Sequence, residues 1–306
     1  MVVRIVAALL VWALAAGAAP VPKPAPKTFP APSEIVAAAP AGDWVAIAPA
    51  DLLVMDLAPD MNRPSTGSGL RRIVIQLMPP PFSQGWVGNI RKLAAARWWD
   101  GTSINRVQDN YVVQWGDANA EDKAKAKVLP PGLAKVPQSE YTLPAAAALR
   151  LVPLHASNAS SDSSVDEITN DVAKQWIAVR AEAGLVAASE RDNYSELTGV
   201  VQSWAASVRD GTVGPIHCYG MVGVGRDMPP NTGTGAELYT VIGHAPRHLD
   251  RNIALVGRVI SGIEHLSSLP RGTGDLGFYK TPAERTGITS VQIGRASCRE
   301  RVLMPV

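Results

Sequence analysis

Cysteine is nearly missing from this chain: two stand among 306 residues, Cys218 and Cys298. A disulfide framework of the kind that staples small exported domains is therefore excluded. Charge is also sparse and balanced, at 18% of residues with a formal net charge of +2. No basic face points to nucleic acid as a partner. Beyond the N-terminus no apolar run approaches the ~20 residues of a membrane span. The glycines at Gly220, Gly223, Gly225, Gly233 and Gly235 are followed by no Lys-Ser or Lys-Thr, so phosphate-loop chemistry is not read here. No Gly-x-Ser-x-Gly elbow is found. His244 and His248 are four apart, but Pro246 between them argues against one helix presenting both to a metal. No metal and no cofactor is expected, and no internal repeat is seen.

The N-terminus has the form of an export leader. Arg4 gives a positive start, Ile5 to Ala15 is apolar, and Ala16-Gly17-Ala18 is a small-residue cleavage site. Residues 1–18 are read as a signal peptide. After its removal no stable membrane span is expected, which implies a periplasmic or secreted protein. Residues 19–45, rich in Pro and Ala, read as an extended tether. At the other end, Ile293 to Val302 reads IGRASCRERV and resembles the in-frame translation of a sequencing adapter. Residues 294–306 are accordingly set apart as artefactual. Cys298 falls among them, which leaves Cys218 as the single native thiol. Cys218 lies in the strand-like Pro215-Ile-His-Cys-Tyr219, where a buried, unreactive thiol is expected and His217 alternates to the opposite face.

With 26 Gly and 25 Pro, a turn-rich, β-containing core is expected. Leu52 to Leu57 and Arg72 to Leu77 read as strands, joined by the turn-forming stretch Asn62 to Gly69. Phe82 to Trp98 reads as a helix, with Val87, Ile90, Leu93, Ala94 and Trp98 at helical spacing and Ser83 as its N-cap. Ser103 to Val107 and Tyr111 to Gln114 are strands again. Near the end a helix over Ser261 to Leu269 and a strand over Ile288 to Ile293 are expected. From Val165 to Val208 the pattern reads as helical. Ile168, Val172, Trp176, Ile177, Val179 and Val186 fit one amphipathic helix; Leu197, Val201 and Trp204 fit another.

One stretch carries the functional signal. In residues 102–117 an arginine, Arg106, is followed by Tyr111, Val112, Gln114 and Gly116-Asp117. This resembles the signature of the cyclophilins, peptidyl-prolyl isomerases that turn X-Pro bonds between cis and trans. A second match runs through Gly220 to Asp227, Asn231 to Tyr239, Leu249-Asp250 and Leu255-Val-Gly-Arg-Val259. The resemblance implies a mainly β fold. That fold is a cyclophilin-like, closed, antiparallel, eight-stranded β-barrel capped by two helices, over residues 46–293. Residues 118–214 have no counterpart in the family and far exceed ordinary loops of about 4–6 residues. They are read as a helical insertion packed beside the barrel, with a poorly ordered loop as the alternative.

The same resemblance assigns the site. Arg106 is the catalytic donor that meets the prolyl nitrogen. Tyr111, Val112, Tyr239 and Leu249 line the proline pocket. Gln114 orients Arg106 or binds the substrate carbonyl, and the backbone at Arg226 pairs with an extended peptide. Several groove neighbours depart from the family pattern. Ile104-Asn105 stands for Phe-His, Trp115 for Gly, Ala236-Glu237-Leu238-Tyr239 for Ser-Gln-Phe-Phe, His248 for an aromatic, and Ile253 for a histidine. Glu237 is counted among the substrate-binding residues of the groove, and a salt bridge from it to Arg106 could tie up the guanidinium's donors. Expected partners are proline-containing peptides or unfolded exported proteins. A non-catalytic proline-peptide-binding or chaperone module on the same fold is the alternative reading.

Overall fold

The structure, a computed structural model, describes residues 29–40, 42, 44–59, 71–145, 192–195, 197–201, 203–294 and 303–305. The leader at 1–18, the turn at 62–69, the helical pattern from 165 to 191 and Cys298 lie outside the described residues. In chain order the strands are β1 (Trp44–Ala46), β2 (Leu52–Leu57), β3 (Arg71–Leu77), β4 (Ser103–Val107), β5 (Val112–Gly116), β6 (Leu143–Pro144) and β7 (Leu197–Val201). They continue with β8 (Trp204–Arg209), β9 (Thr212–Pro215), β10 (Met221–Val224), β11 (Leu238–Val241), β12 (Leu255–Ser261), β13 (Thr286–Ile293) and β14 (Leu303–Pro305). The α-helices are α1 (Pro32–Ala38), α2 (Gln84–Ala95) and α3 (Glu264–Ser267).

Eight strands close into a barrel in the order β10-β11-β5-β4-β13-β2-β3-β12, every neighbouring pair antiparallel. Closure leaves no free sheet edge. Leu53, Met55, Ile73, Ile75, Ile104, Val113, Trp115 and Leu238 are buried members of one continuous core. Their spacing of two along each strand is why alternation in the sequence located the strands. Each fully buried aliphatic side chain contributes about 1.5–3 kcal/mol to this core.

The two helices sit at opposite ends of β3. At its Leu77 end the chain turns into α2, whose Trp86, Val87, Ile90 and Leu93 are buried in the core. At its Arg71 end the guanidinium of Arg71 donates to the carbonyl of His265 in α3. Both helices are shorter than expected. Arg97 adopts φ 52°, and the amides of Arg97 and Trp98 turn back to the carbonyls of Ala94 and Leu93. This is a Schellman closure, and it ends α2 before Trp98. Ser83 occupies the N-cap with φ 56° and makes no side-chain cap bond. Gln84 instead binds the carbonyls of Met78 and Phe82. Toward the C-terminus, β12 runs on to Ser261, so α3 is a single turn anchored by buried Leu266.

The tether is not extended throughout. Pro32–Ala38 is helical, with Glu34 accepting the amide of Ala31 at 2.7 Å. The helical reading of the insertion is corrected where it is described. Leu197 and Val201 lie on β7 and Trp204 opens β8, in an antiparallel sheet ordered β6-β9-β8-β7. Thr198, Val200 and Val201 are β-branched, and that preference outweighs three apolar residues that happened to fall at helical spacing. The sheet docks on β12: Arg258 lies 4.2 Å over the Trp204 ring and donates to the carbonyl of Ser203 at 2.6 Å. Pro215 ends β9 and Cys218 follows in a turn rather than a strand. The thiol is half-buried, and burial together with nearby Asp250 raises its pKa and keeps it inert. Strands β1 and β14 pair apart from the barrel. Among the described residues no helix is long and apolar enough to cross a membrane.

Candidate active site

Arg106 reaches the outside of the barrel through a bulge. Ile104 pairs with Trp115 and Arg106 with Gln114, so Asn105 is one residue too many on β4. Simple alternation would turn Arg106 inward beside Ile104. The extra residue re-aims it, while Val107 returns to the core. Asn105 is itself buried and donates to the carbonyl of Gly116 at 3.1 Å.

A row of side chains then crosses the outer face of four strands. Arg106 on β4 stands opposite Gln114 on β5, Gln114 opposite Tyr239 on β11, and Tyr239 opposite Gly223 on β10. Gly223 is needed for contact rather than for conformation. A Cβ there would stand 2.3 Å from the Tyr239 ring, so the ring sits directly against bare backbone. Val112, Tyr239, Val241 and Leu249 form an apolar cluster separate from the barrel core, with Tyr111 and Ile253 packed against it. The residues assigned to the proline pocket are thus brought together. His248 stacks on Tyr111 at 6.0 Å, so it too joins the wall.

Three groups hold the guanidinium of Arg106. Its Nε donates to the carbonyl of Leu276 at 2.7 Å, one terminal nitrogen donates to Gln114 Oε1 at 3.1 Å, and the other donates to Gln108 Oε1. The group is sandwiched between aromatic rings, 5.5 Å from the centroid of Tyr111 and 5.2 Å from that of Phe278. A guanidinium has five N–H groups. Among the described residues, one hydrogen on each terminal nitrogen remains uncommitted. Burial lowers the pKa of Arg106, yet a guanidinium stays charged at any physiological pH.

Glu237 does not pair with Arg106. It accepts a hydrogen bond from Gln114 Nε2, while Gln114 Oε1 faces Arg106. The carboxylate therefore fixes which way the Gln114 amide points, and burial raises its own pKa. Arg226 sits just past the end of β10, and its side chain is held by Asn252 and by the carbonyl of Asp227. Among the described residues no hydrogen bond engages its backbone, which leaves amide and carbonyl for an incoming strand.

Helix α2 and the turn that follows it hold the segment that leads into β11. Trp86 Nε1 donates to the carbonyls of Thr232 and Gly233, Asn89 Nδ2 to that of Thr234, and Trp99 Nε1 to that of Ala236. The segment entering β11 is pinned carbonyl by carbonyl to buried side chains. Asp117, at the end of the first motif, accepts the amides of Asn119 and Lys127 and shapes the start of the insertion.

Sequence reasoning missed three groups: Gln108, Leu276 and Phe278. Gln108 was within reach, two residues beyond Arg106 where the chain turns from β4 to β5. Leu276 and Phe278 come from a distant loop joined to β4 by an isolated bridge between Arg106 and Phe278, and no local pattern signals that.

A family model described as "Cyclophilin type peptidyl-prolyl cis-trans isomerase/CLD" matches residues 65–293. Among solved structures, the chain is similar to the cyclophilin AquaCyp293 from Hirschia baltica. The identity is 17%, 87% of this chain and 81% of that chain are covered, and the TM-score is 0.52. A cyclophilin-type peptidyl-prolyl isomerase from Cryptosporidium parvum matches at 10% identity over 79% of this chain and 96% of that one, with a TM-score of 0.39. The same protein in the presence of the dipeptide Ala-Pro matches at 9% identity over 72% and 92%, with a TM-score of 0.37. A comparison with curated proteins finds no match.

Proposed function

The chain belongs to the cyclophilin-type peptidyl-prolyl cis-trans isomerase family, and from that premise we propose that the row Arg106, Gln114 and Tyr239 is where it turns X-Pro bonds. Rotation about a peptide bond costs about 18–20 kcal/mol because twisting destroys amide resonance. Uncatalysed exchange of X-Pro takes tens of seconds or longer. The reaction needs no nucleophile and no proton relay. It needs a site that favours the twisted amide over both planar ones.

Two features of the groove support this role. The apolar cluster of Tyr111, Val112, Tyr239 and Leu249 offers a surface for the pyrrolidine ring. Beside it, the uncommitted hydrogens of Arg106 are donors for the prolyl nitrogen, which gains a lone pair only as the amide twists. The carrying observation is the immobilised guanidinium, held by Leu276, Gln108 and Gln114 between two rings. A donor fixed in advance requires no reorganisation in the transition state and is worth a few kcal/mol there. Gln114, clamped by Glu237, keeps that donor aimed. The unpaired backbone at Arg226 receives the extended peptide.

The substrates are proline-containing peptides or unfolded exported proteins. Export is supported by Arg4, the apolar stretch Ile5 to Ala15 and the small residues Ala16 to Ala18. Such a leader supports a periplasmic or secreted protein. The catalytic unit is residues 46–293, with 118–214 as its insertion, and residues after 293 are adapter-derived. Turnover of a tetrapeptide with one X-Pro bond tests the groove. Tyr239→Ala is expected to raise KM and lower kcat/KM by at least tenfold, since it removes the ring that covers Gly223. Unchanged kinetics would place the chemistry elsewhere.

A further inference from the structure

Tyr239 carries a hydroxyl where a pocket wall needs only a ring, and that hydroxyl is the visible end of a buried polar chain. It lies 2.7 Å from His217 Nε2. His217 is 0% exposed, and its ring is nearly coplanar with that of Tyr239, 9° between planes. Its Nδ1 lies 2.9 Å from Asp250 Oδ1, which also accepts the His217 backbone amide at 2.9 Å. Asp250 Oδ2 is taken by Arg247, and Arg247 reaches Asp192 of the insertion at 2.6 Å. A carboxylate only accepts, so Nδ1 of His217 must carry the proton and Nε2 must present its lone pair. The tautomer is thereby fixed, and the Tyr239 hydroxyl is obliged to donate to it. Gly223 gives the ring nothing to lean on but backbone.

We propose that His217 is a positioning residue for isomerisation: held neutral and oriented by Asp250, it accepts the Tyr239 hydroxyl and fixes the pocket wall against which the proline ring packs. This rests on the groove reading above. Without the acceptor, the ring is free to lift from Gly223 and the pocket loses its defined floor. Asp250 and Tyr239 face the imidazole directly, and Arg247 and His248 also act on it electrostatically. Burial outweighs the Asp250 contacts and keeps the imidazole pKa below its ordinary value, so the relay is intact at neutral pH.

The test uses chemistry that separates the two ring nitrogens. His217→Asn keeps a donor for Asp250 and loses the acceptor for Tyr239; His217→Gln keeps an acceptor at the Nε2 position. On the proline tetrapeptide, His217→Asn is expected to raise KM roughly three- to tenfold with kcat little changed, the size of one lost neutral hydrogen bond. His217→Gln is expected to restore most of it. Tyr239→Phe should raise KM to the same degree, and His217→Asn added to it should do nothing more. A KM unmoved by His217→Asn while the melting temperature falls would overturn the proposal, as would independent effects of the two substitutions. If the histidine variants do not fold, pH decides. In the parent, KM should hold through pH 6.5 and climb only at lower pH, as the depressed pKa of His217 is crossed, because imidazolium cannot accept. In Tyr239→Phe that component should vanish. Identical pH profiles would overturn it. Arg106→Ala, measured alongside, separates the two claims: if it leaves kcat intact the groove reading itself fails, whereas a lost kcat with silent His217 variants defeats only this inference.

Discussion

Arg106 faces the groove because Asn105 is one residue more than the β4–β5 ladder needs. The sequence motif named the arginine, but its direction came from a bulge that alternation does not foresee. Gly223 is a similar case. Nothing in its neighbours marks it as more than a strand glycine, yet Gly223→Ala would drive a methyl to 2.3 Å from the Tyr239 ring. The expected result is a loss of about 1–3 kcal/mol of stability and a raised KM, read by urea denaturation and by tetrapeptide kinetics. An alanine that leaves both unchanged would mean the ring does not rest there. Glu237→Gln tests the clamp on Gln114. An amide can offer its N–H₂ where the carboxylate offered only acceptors, so Gln114 can turn over. The account predicts a lower kcat with KM nearly constant. Were the glutamate instead withholding donors from Arg106, the same change would raise kcat.

At the scale of elements, the strands of the barrel were legible because each buries one face. Leu53, Met55 and Leu57 on β2 and Ile73, Ile75 and Leu77 on β3 repeat every second residue. The insertion was not legible, since three residues at spacings of four and three satisfy a helix by coincidence. Leu197–Val201 and Trp204–Arg209 pair as a hairpin, yet the Gln-Ser between them is none of the Gly- or Asn-containing pairs that announce one. The end of α2 was missed for a local reason: the closing left-handed residue is Arg97 instead of the glycine that would have announced it. That position yields a prediction. A non-glycine residue in this region costs about 1 kcal/mol or more, while the exposed Arg97–Asp100 ion pair is worth little. Arg97→Gly should therefore raise the urea midpoint with unchanged slope and leave turnover alone. A lowered midpoint would show that the ion pair, and not the backbone, sets the end of the helix.

For the whole molecule, the buried groups set how stability responds to acid. His217 is kept neutral by burial, so its folded pKa lies below 6.5. The unfolded chain takes up that proton first, and stability falls as pH drops below 6.5. For Asp250, burial raises the pKa but the bonds from His217 and Arg247 outweigh it, and its contribution is lost as pH falls further below 3.8. Glu237 works the other way: its folded pKa lies above 4.5, so its ionisation costs stability as pH rises past that value. A melting-temperature titration should show the first decline beginning near pH 6.5, and His217→Gln should abolish that step. The family and the barrel, with Tyr111 and Gln114 beside Arg106, were readable from motifs spread along the chain, while Leu276 and Phe278 were not, because they reach Arg106 from the loop before β13 only after folding. The most direct test of the account is Arg106→Ala on a proline tetrapeptide, with kcat and KM separated. The account predicts kcat lower by one to three orders of magnitude, since a lost transition-state donor costs up to about 2.7–4 kcal/mol, and KM within about threefold because the Tyr111, Val112, Tyr239 and Leu249 surface remains. An unchanged kcat would contradict it at its centre.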